Sequence, residues 1–341
     1  MSGPAPMGHA ARIPVTIVTG FLGSGKTTLI SEVLRQPGFD GTLVVVNEFG
    51  EVGIDHDLLE ASSEDVILLA NGCLCCTIRG NLIDTLVSAL AQVSEGRLRP
   101  FDRVVVETSG LADPAPFLGF LYQEAQFHDL FTVAGIVTVC DGMEGSGAIA
   151  RFPEAVSQVR MADRLIISKG DVADEATLAR LEADLRRLNP DAAIQRVVRG
   201  AIDAARVLGH GRVAEAAGAE APHGHHHHHH EDPDDAALRH HGIRRLAFTL
   251  PRLDPAQLEA LIAALRNAAT PDLLRVKGLL RLGGDAGVAV VQGAMGRIAP
   301  PDLLGHQIGG EGRLVCLVQG DEAAAAIAAA LTPLGAVPFG S

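Results

Sequence analysis

The sequence is short of positive charge: 28 Lys and Arg stand against 41 Asp and Glu, a formal net charge of -13. A chain that tracks nucleic acid needs a basic footprint for the phosphate backbone, so that class of partner is excluded. The sequence also lacks an uninterrupted apolar run long enough to cross a bilayer. Met1–Arg12 is short, and the first apolar stretch runs straight into a nucleotide motif, so a cleaved signal is not expected there. Cysteine is scarce: there are five, three of them within four positions, which is not a disulfide framework. Adjacent thiols that must stay reduced point to the cytoplasm. Cys140 and Cys316 lie in apolar stretches and read as buried small hydrophobes. What the chain does have is a hydrophobic content of 47% over 341 residues, enough for two domains or one large domain with an appendage.

The first part alternates short apolar runs with helical patterns. Residues 13–19, 42–46, 66–69, 101–106, 133–139 and 165–167 read as strands. Helices are expected at 26–35, 82–92 and 175–188, the last with Leu178, Leu181, Leu185 and Leu188 on one stripe. That order gives a three-layer α/β domain with a mostly parallel sheet over residues 13–210. The pattern then degrades. Residues 211–242 carry alanines, glycines and charges around His225, His226, His227, His228, His229 and His230, followed by an acidic run, and cannot build a core. This reads as a flexible linker, with a metal-gathering tract, a plain solvated linker and a purification tag as alternatives. Residues 243–335 read as a smaller α+β domain, with strands at 246–250, 273–282, 288–292 and 314–318 and helices at 255–266 and 321–331.

Gly20-Phe21-Leu22-Gly23-Ser24-Gly25-Lys26-Thr27 matches the phosphate-loop pattern in full, after a strand and before a helix. Its glycines let backbone N–H groups converge on phosphates, and the helix N-terminus adds favourable electrostatics. Lys26 is placed to reach the β- and γ-phosphates and Thr27 to ligate magnesium. Glu107, at the end of an apolar strand, can hold that magnesium directly or through water, and the Gly110 backbone can sense the γ-phosphate. In Ser168-Lys169-Gly170-Asp171, an Asp can accept both donors of a guanine edge while the Lys169 stem covers the base. Asn47-Glu48-Phe49-Gly50-Glu51 can move when the γ-phosphate leaves, and either Glu48 or Asp55 can order water or metal. Cys73, Cys75 and Cys76 are too few for a four-ligand zinc knuckle. Three thiolates can still hold Zn²⁺, Co²⁺ or Cu⁺; a redox dithiol and inert buried cysteines are the alternatives.

Together the Gly20–Thr28 loop, Asn47-Glu48-Phe49-Gly50, Gly72-Cys73-Leu74-Cys75-Cys76 and the Glu107–Pro114 segment resemble the CobW-like family of metal-handling P-loop GTPases, over about residues 13 to 335. The resemblance implies a GTPase domain and a CobW-like C-terminal domain, often joined by a histidine-rich stretch. It implies slow, magnesium-dependent GTP hydrolysis coupled to delivery of zinc or cobalt to a recipient metalloprotein or metal-insertion complex, without nucleic acid or membrane. It assigns nucleotide contacts to Gly23, Ser24, Gly25, Lys26, Thr27, Thr28, Gly110, Lys169 and Asp171. Lys26, Thr27, Glu48 and Glu107 serve the chemistry, and Thr27 and Glu107 serve magnesium. Transferable metal goes to Cys73, Cys75 and Cys76, with His225–His230 as a gathering tract. Two departures stand out. Ser168 replaces the family's usual Asn and cannot copy both amide contacts. Val46 stands where some members carry a metal-binding Glu, so a shell using that Glu is excluded. Two other functions compete: a metal-storage or sensing adaptor in which nucleotide selects partners, and an ATP-dependent kinase-like enzyme, which Asp171 disfavours.

Overall fold

The protein is described by a computed structural model over residues 12–46, 66–68, 78–197, 202–208, 242–268, 271–283, 287–304 and 310–339. It divides into two compact units, residues 1–114 with 124–210, and residues 115–123 with 211–341.

The first unit is built on a seven-stranded sheet. Its strands are β1 (Ile13–Thr19), β2 (Thr42–Val46), β3 (Val66–Leu68), β4 (Arg103–Glu107), β5 (Phe131–Asp141), β6 (Arg164–Ser168) and β7 (Ala193–Arg196). They are ordered β3-β2-β4-β1-β5-β6-β7, and every pairing is parallel. A parallel sheet covered on both faces needs apolar side chains pointing both ways. The sequence supplies them: all five residues of β2 are buried, as are Val15, Ile17 and Val18 of β1. Lys26–Leu34 lays Leu29, Ile30 and Val33 onto Val18, Val44 and Val105, and Val207 and Leu208 complete that core. Helix Glu175–Leu188 starts where the Asp174 carboxylate accepts from the Thr177 N–H at 2.8 Å. It buries Leu178, Leu181, Leu185 and Leu188, the stripe read from the sequence.

The chain runs outward from β1 to one side, returns through β4, and crosses to β5 on the other side. In open α/β sheets the crevice at such a reversal, at the carboxyl ends of the strands, is where ligands bind. The phosphate-binding sequence leaves β1 at that point. Helices at Ala125–Leu130, Gly145–Arg151 and Pro153–Met161 were not apparent from the sequence pattern.

The second unit carries an antiparallel sheet: β8 (Ile243–Leu250), β9 (Leu273–Arg281), β10 (Val288–Ala294), β11 (Arg297–Ile298), β12 (Asp302–Leu304), β13 (Gly312–Gln319) and β14 (Val337–Pro338). The order is β11-β10-β9-β13-β8-β14, with β12 on β10. Helix Pro255–Ala268 buries Leu258, Leu261, Ile262 and Leu265, and helix Asp321–Leu331 buries Ile327 and Leu331, in one core with the sheet residues Phe248, Leu280, Leu314 and Cys316. This is the α+β architecture expected after residue 243. Residues 115–123 of helix Pro114–Gln123 group with this unit, where the Tyr122 hydroxyl donates to Gln292 Oε1 at 3.2 Å. Among the described residues no helix is long and apolar enough to cross a membrane.

Leu261 is fully buried in the second core. Leu261→Ala is expected to lower stability by about 2–5 kcal/mol, through lost burial and the cavity left behind. Urea denaturation checks this; a loss under about 1 kcal/mol would mean that the helix does not anchor this core.

Candidate functional site

Parallel register aligns the ends of β1 and β4, while β5 and β6 run three residues further. Val18 pairs with Glu107, Thr19 with Thr138, and Asp141 with Ser168. The phosphate loop rises between them. Gly20 adopts φ 145°, and a Cβ there would lie 2.2 Å from the Val139 carbonyl oxygen, so only glycine fits where β1 ends. Gly25 is the left-handed residue from which helix Lys26–Leu34 starts.

Lys26 is buried, and its ammonium donates to the carbonyl of Gly20 at 3.1 Å. It is thereby held within its own loop, at the helix N-terminus where backbone N–H groups favour an anion. The Thr27 hydroxyl donates to Glu107 Oε1 at 2.8 Å, and Glu107 is buried at the end of β4. Thr28 is exposed on the first turn of the helix, and Ser24 is buried inside the loop. Beside them the Thr108 hydroxyl donates to Thr19 Oγ1 at 2.8 Å, and the Thr108 N–H to the Val18 carbonyl at 2.9 Å. Gly110 then meets the loop directly: a Cβ on it would sit 2.8 Å from the Leu22 backbone nitrogen.

Ser168 has a task of its own. Its hydroxyl donates to the carbonyl of Ser24 at 2.7 Å, with the Cys140 carbonyl at 3.2 Å, and so ties the phosphate loop to β6. Lys169, at φ 54°, donates to the Gly23 carbonyl at 2.9 Å and to Asp141 Oδ2 at 2.6 Å. Asp171 is exposed two residues on. Lys26, Thr27, Glu107, Gly110, Ser168 and Lys169 therefore gather around one loop. Glu48, Asp55, Cys73, Cys75, Cys76 and His225–His230 lie outside the described residues. Among the described residues no group of three or more His, Cys, Asp or Glu is arranged to hold a metal ion. Cys140 and Cys316 are buried, and burial pushes both thiols up to about 12, with the charge of Asp141 adding to the effect at Cys140. They are small core residues, as the apolar runs around them indicated.

Residues 14–196 match the family model "CobW/HypB/UreG, nucleotide-binding domain", and residues 244–332 match "Cobalamin synthesis protein cobW C-terminal domain". The chain belongs to the CobW family. Among curated CobW-family proteins it is 35% identical to the zinc chaperone CobW of Pseudomonas aeruginosa, over 84% of this chain and 82% of that one. It is 36% identical to the zinc chaperone YjiA of Escherichia coli, over 56% of this chain and 59% of that protein. The crystal structure of the Zn(II)-bound YjiA GTPase from E. coli superposes with a TM-score of 0.63 at 25% identity, covering 95% of this chain and 99% of that one.

Two polar residues of the CobW-family site went unassigned in the sequence reading. Asp141 ends an apolar strand, the same signal that singled out Glu107, and it anchors Lys169. Gln158 lies on the buried stripe of helix Pro153–Met161, and its carboxamide donates to the carbonyls of Gly110 and Ala112 at 3.1 and 3.0 Å. A polar residue among Ala155, Val156, Val159 and Met161 was the available clue.

Burial pushes the Asp141 carboxyl up, but the hydrogen bond from Lys169, those from the backbone N–H groups of Met143 and Glu144, and the Lys169 charge outweigh it and hold the group below the usual carboxylate range. A carboxyl depressed in the folded state adds stability that is complete above its unfolded pKa and is lost as pH falls through the folded one. The difference in melting temperature between the parent and Asp141→Asn is therefore expected to shrink as pH is lowered from about 5 toward 3. A gap that does not change with pH would show that the Asp141–Lys169 pair adds nothing beyond its packing.

Proposed function

We propose that the chain is a GTP-dependent metallochaperone: it hydrolyses GTP to GDP and phosphate and couples that cycle to loading and release of zinc or cobalt. The observation that carries the nucleotide half is the convergence of Lys26, Thr27 and Glu107 where β1 and β4 end. Lys26 places a fixed positive charge at the mouth of a glycine loop, where a β,γ-phosphate group needs it. It must exchange the Gly20 carbonyl for phosphate oxygens, a charge-assisted contact stronger than the one it leaves. The Thr27 hydroxyl and the Glu107 carboxylate, 2.8 Å apart, are a hard-oxygen pair that fits magnesium. Bound there, that ion would neutralise charge on the β- and γ-phosphate oxygens. Gly110 packs against Leu22 of the loop, and its N–H is the group assigned to the γ-phosphate.

Asp171 gives the base preference, because its carboxylate can accept from N1–H and the 2-amino group of guanine and finds no such pair on adenine. Ser168 does not replace an Asn side chain at the base; it braces Ser24 from below, which leaves guanine recognition to Asp171 and the Lys169 stem. The cargo site is Cys73, Cys75 and Cys76, whose thiolates suit a soft or borderline ion, with His225–His230 gathering metal at higher stoichiometry. The zinc chaperones in two of the similar proteins support zinc as a cargo. Glu48, between the phosphate loop and the thiols in sequence, is the residue assigned to the hydrolytic water or its metal. Residues 13–210, 211–242 and 243–335 act as GTPase domain, tract-bearing linker and C-terminal domain, and the recipient is a metalloprotein or its insertion complex.

Competition binding with magnesium tests the nucleotide half: GTP is expected to displace a labelled guanine nucleotide and an equal concentration of ATP to leave it bound. Equal displacement would remove the base reading from Asp171. In the same assay folded Lys26→Ala is expected to lose binding of GTP by more than tenfold, since a charge-assisted phosphate contact contributes about 1.5–3 kcal/mol. Unchanged affinity would take Lys26 out of the site.

A further inference from the structure

Gln158 is almost fully buried, on a helix with no part in the phosphate loop. Both hydrogens of its carboxamide are committed to the segment after β4, one to the carbonyl of Gly110 at 3.1 Å and one to that of Ala112 at 3.0 Å. Two carbonyl partners fix which end is the NH₂, because the amide oxygen could bond neither. That oxygen, Oε1, is buried and has no partner among the described residues. Burying an unpartnered acceptor is unfavourable, and an apolar residue of the same shape would avoid it. The two donated bonds are what an apolar residue cannot supply.

The support for Gln158 is itself rigid. Its own carbonyl accepts from the Thr138 hydroxyl of β5 at 2.7 Å. The buried Asn189 amide donates to the carbonyls of Val159 and Ala162 at 2.8 and 2.9 Å, pinning the end of the same helix. One residue earlier the Ser157 hydroxyl donates to Asp113 Oδ1 at 2.6 Å. The Gly110–Asp113 segment is thus gripped at three points by one helix turn, while its other side lies against Leu22 of the phosphate loop.

We propose that Gln158 is a positioning residue that holds Gly110 against the phosphate loop in advance of nucleotide, so that its N–H meets a γ-phosphate without first being ordered. This rests on the GTP reading given above. The segment addresses the third phosphate and not the first two, so the latch strengthens binding of the triphosphate selectively. Without it the ordering of Gly110 must be met from the energy of GTP binding, while GDP, which leaves Gly110 unused, binds as before.

The test compares a non-hydrolysable GTP analogue with GDP, both with magnesium, on the full chain. Gln158→Met keeps the size and removes both donors. Its affinity for the GTP analogue is expected to fall roughly 5–30-fold, the equivalent of one or two net hydrogen bonds, with GDP affinity within about twofold of the parent. Equal losses for both nucleotides would reduce Gln158 to a structural residue, and no loss for either would remove it; both results overturn the latch. Ser157→Ala, at an exposed contact, is expected to give a smaller loss in the same direction, roughly threefold. If Gln158→Met does not fold, an unchanged ratio in Ser157→Ala overturns the proposal. A parent protein that binds neither nucleotide defeats the GTP reading, and the latch with it, which separates that failure from one confined to the variants.

Discussion

The register of β1 with its two parallel neighbours carries everything else at the site. Val18 opposite Glu107 and Thr19 opposite Thr138 bring three chain segments to the same height at the carboxyl edge of the sheet. A slip of one residue in either pair would turn the aligned side chains to the opposite face. Glu107 would leave Thr27, and the Val139 carbonyl that admits only a glycine at position 20 would be replaced by other atoms. The slip is opposed by the buried faces on both sides of β1, where Val15, Ile17 and Val18 are all fully enclosed. The geometry of the site is therefore a consequence of core packing one or two residues below it.

Around that register the phosphate loop is tied from several directions. Lys26 holds it from within, Ser168 from β6, and Lys169 from the left-handed turn after β6, with Asp141 fixing the lysine in turn. The neighbouring Gly110 segment is gripped through Gln158 and Ser157. Preorganised donors and dipoles are the main means by which a protein stabilises phosphoryl transfer, where little covalent chemistry falls to its own groups. The ties from Lys26, Ser168 and Lys169 all act on backbone carbonyls of the loop.

The parts of this site written locally in the chain were legible in the sequence. A strand, a glycine loop and a helix in direct succession identified Lys26 and Thr27, and an apolar run closing on a carboxylate identified Glu107. The α/β order of the first part and the α+β order of the second followed from periodicity, because buried parallel strands and amphipathic helices differ in how their apolar residues recur. The strand order was not legible, since nothing local says that β4 returns beside β1. Gln158 and Asp141 escaped for the same reason: their partners lie 48 and 28 residues away. Ser168 looked like a loss beside the family's usual Asn, and only its bond to Ser24 shows what the hydroxyl does instead. The helix at Gly145–Arg151, with glycines at both 145 and 147, has weak helix propensity and is settled by tertiary contact.

Family membership and the loop geometry join in one central claim, that nucleotide state and metal affinity are linked through a shared domain. Linkage of this kind is reciprocal and usually amounts to about 1–3 kcal/mol. The most direct measurement is a zinc titration against a chelating competitor, run in parallel on the protein loaded with magnesium and a non-hydrolysable GTP analogue and on the protein loaded with magnesium and GDP. The account predicts zinc affinities that differ roughly 5–150-fold between the two forms, with the tight site lost from both when Cys75 and Cys76 are changed to serine. Equal affinities in the two nucleotide states would contradict it, leaving a metal-binding GTPase whose two sites do not communicate.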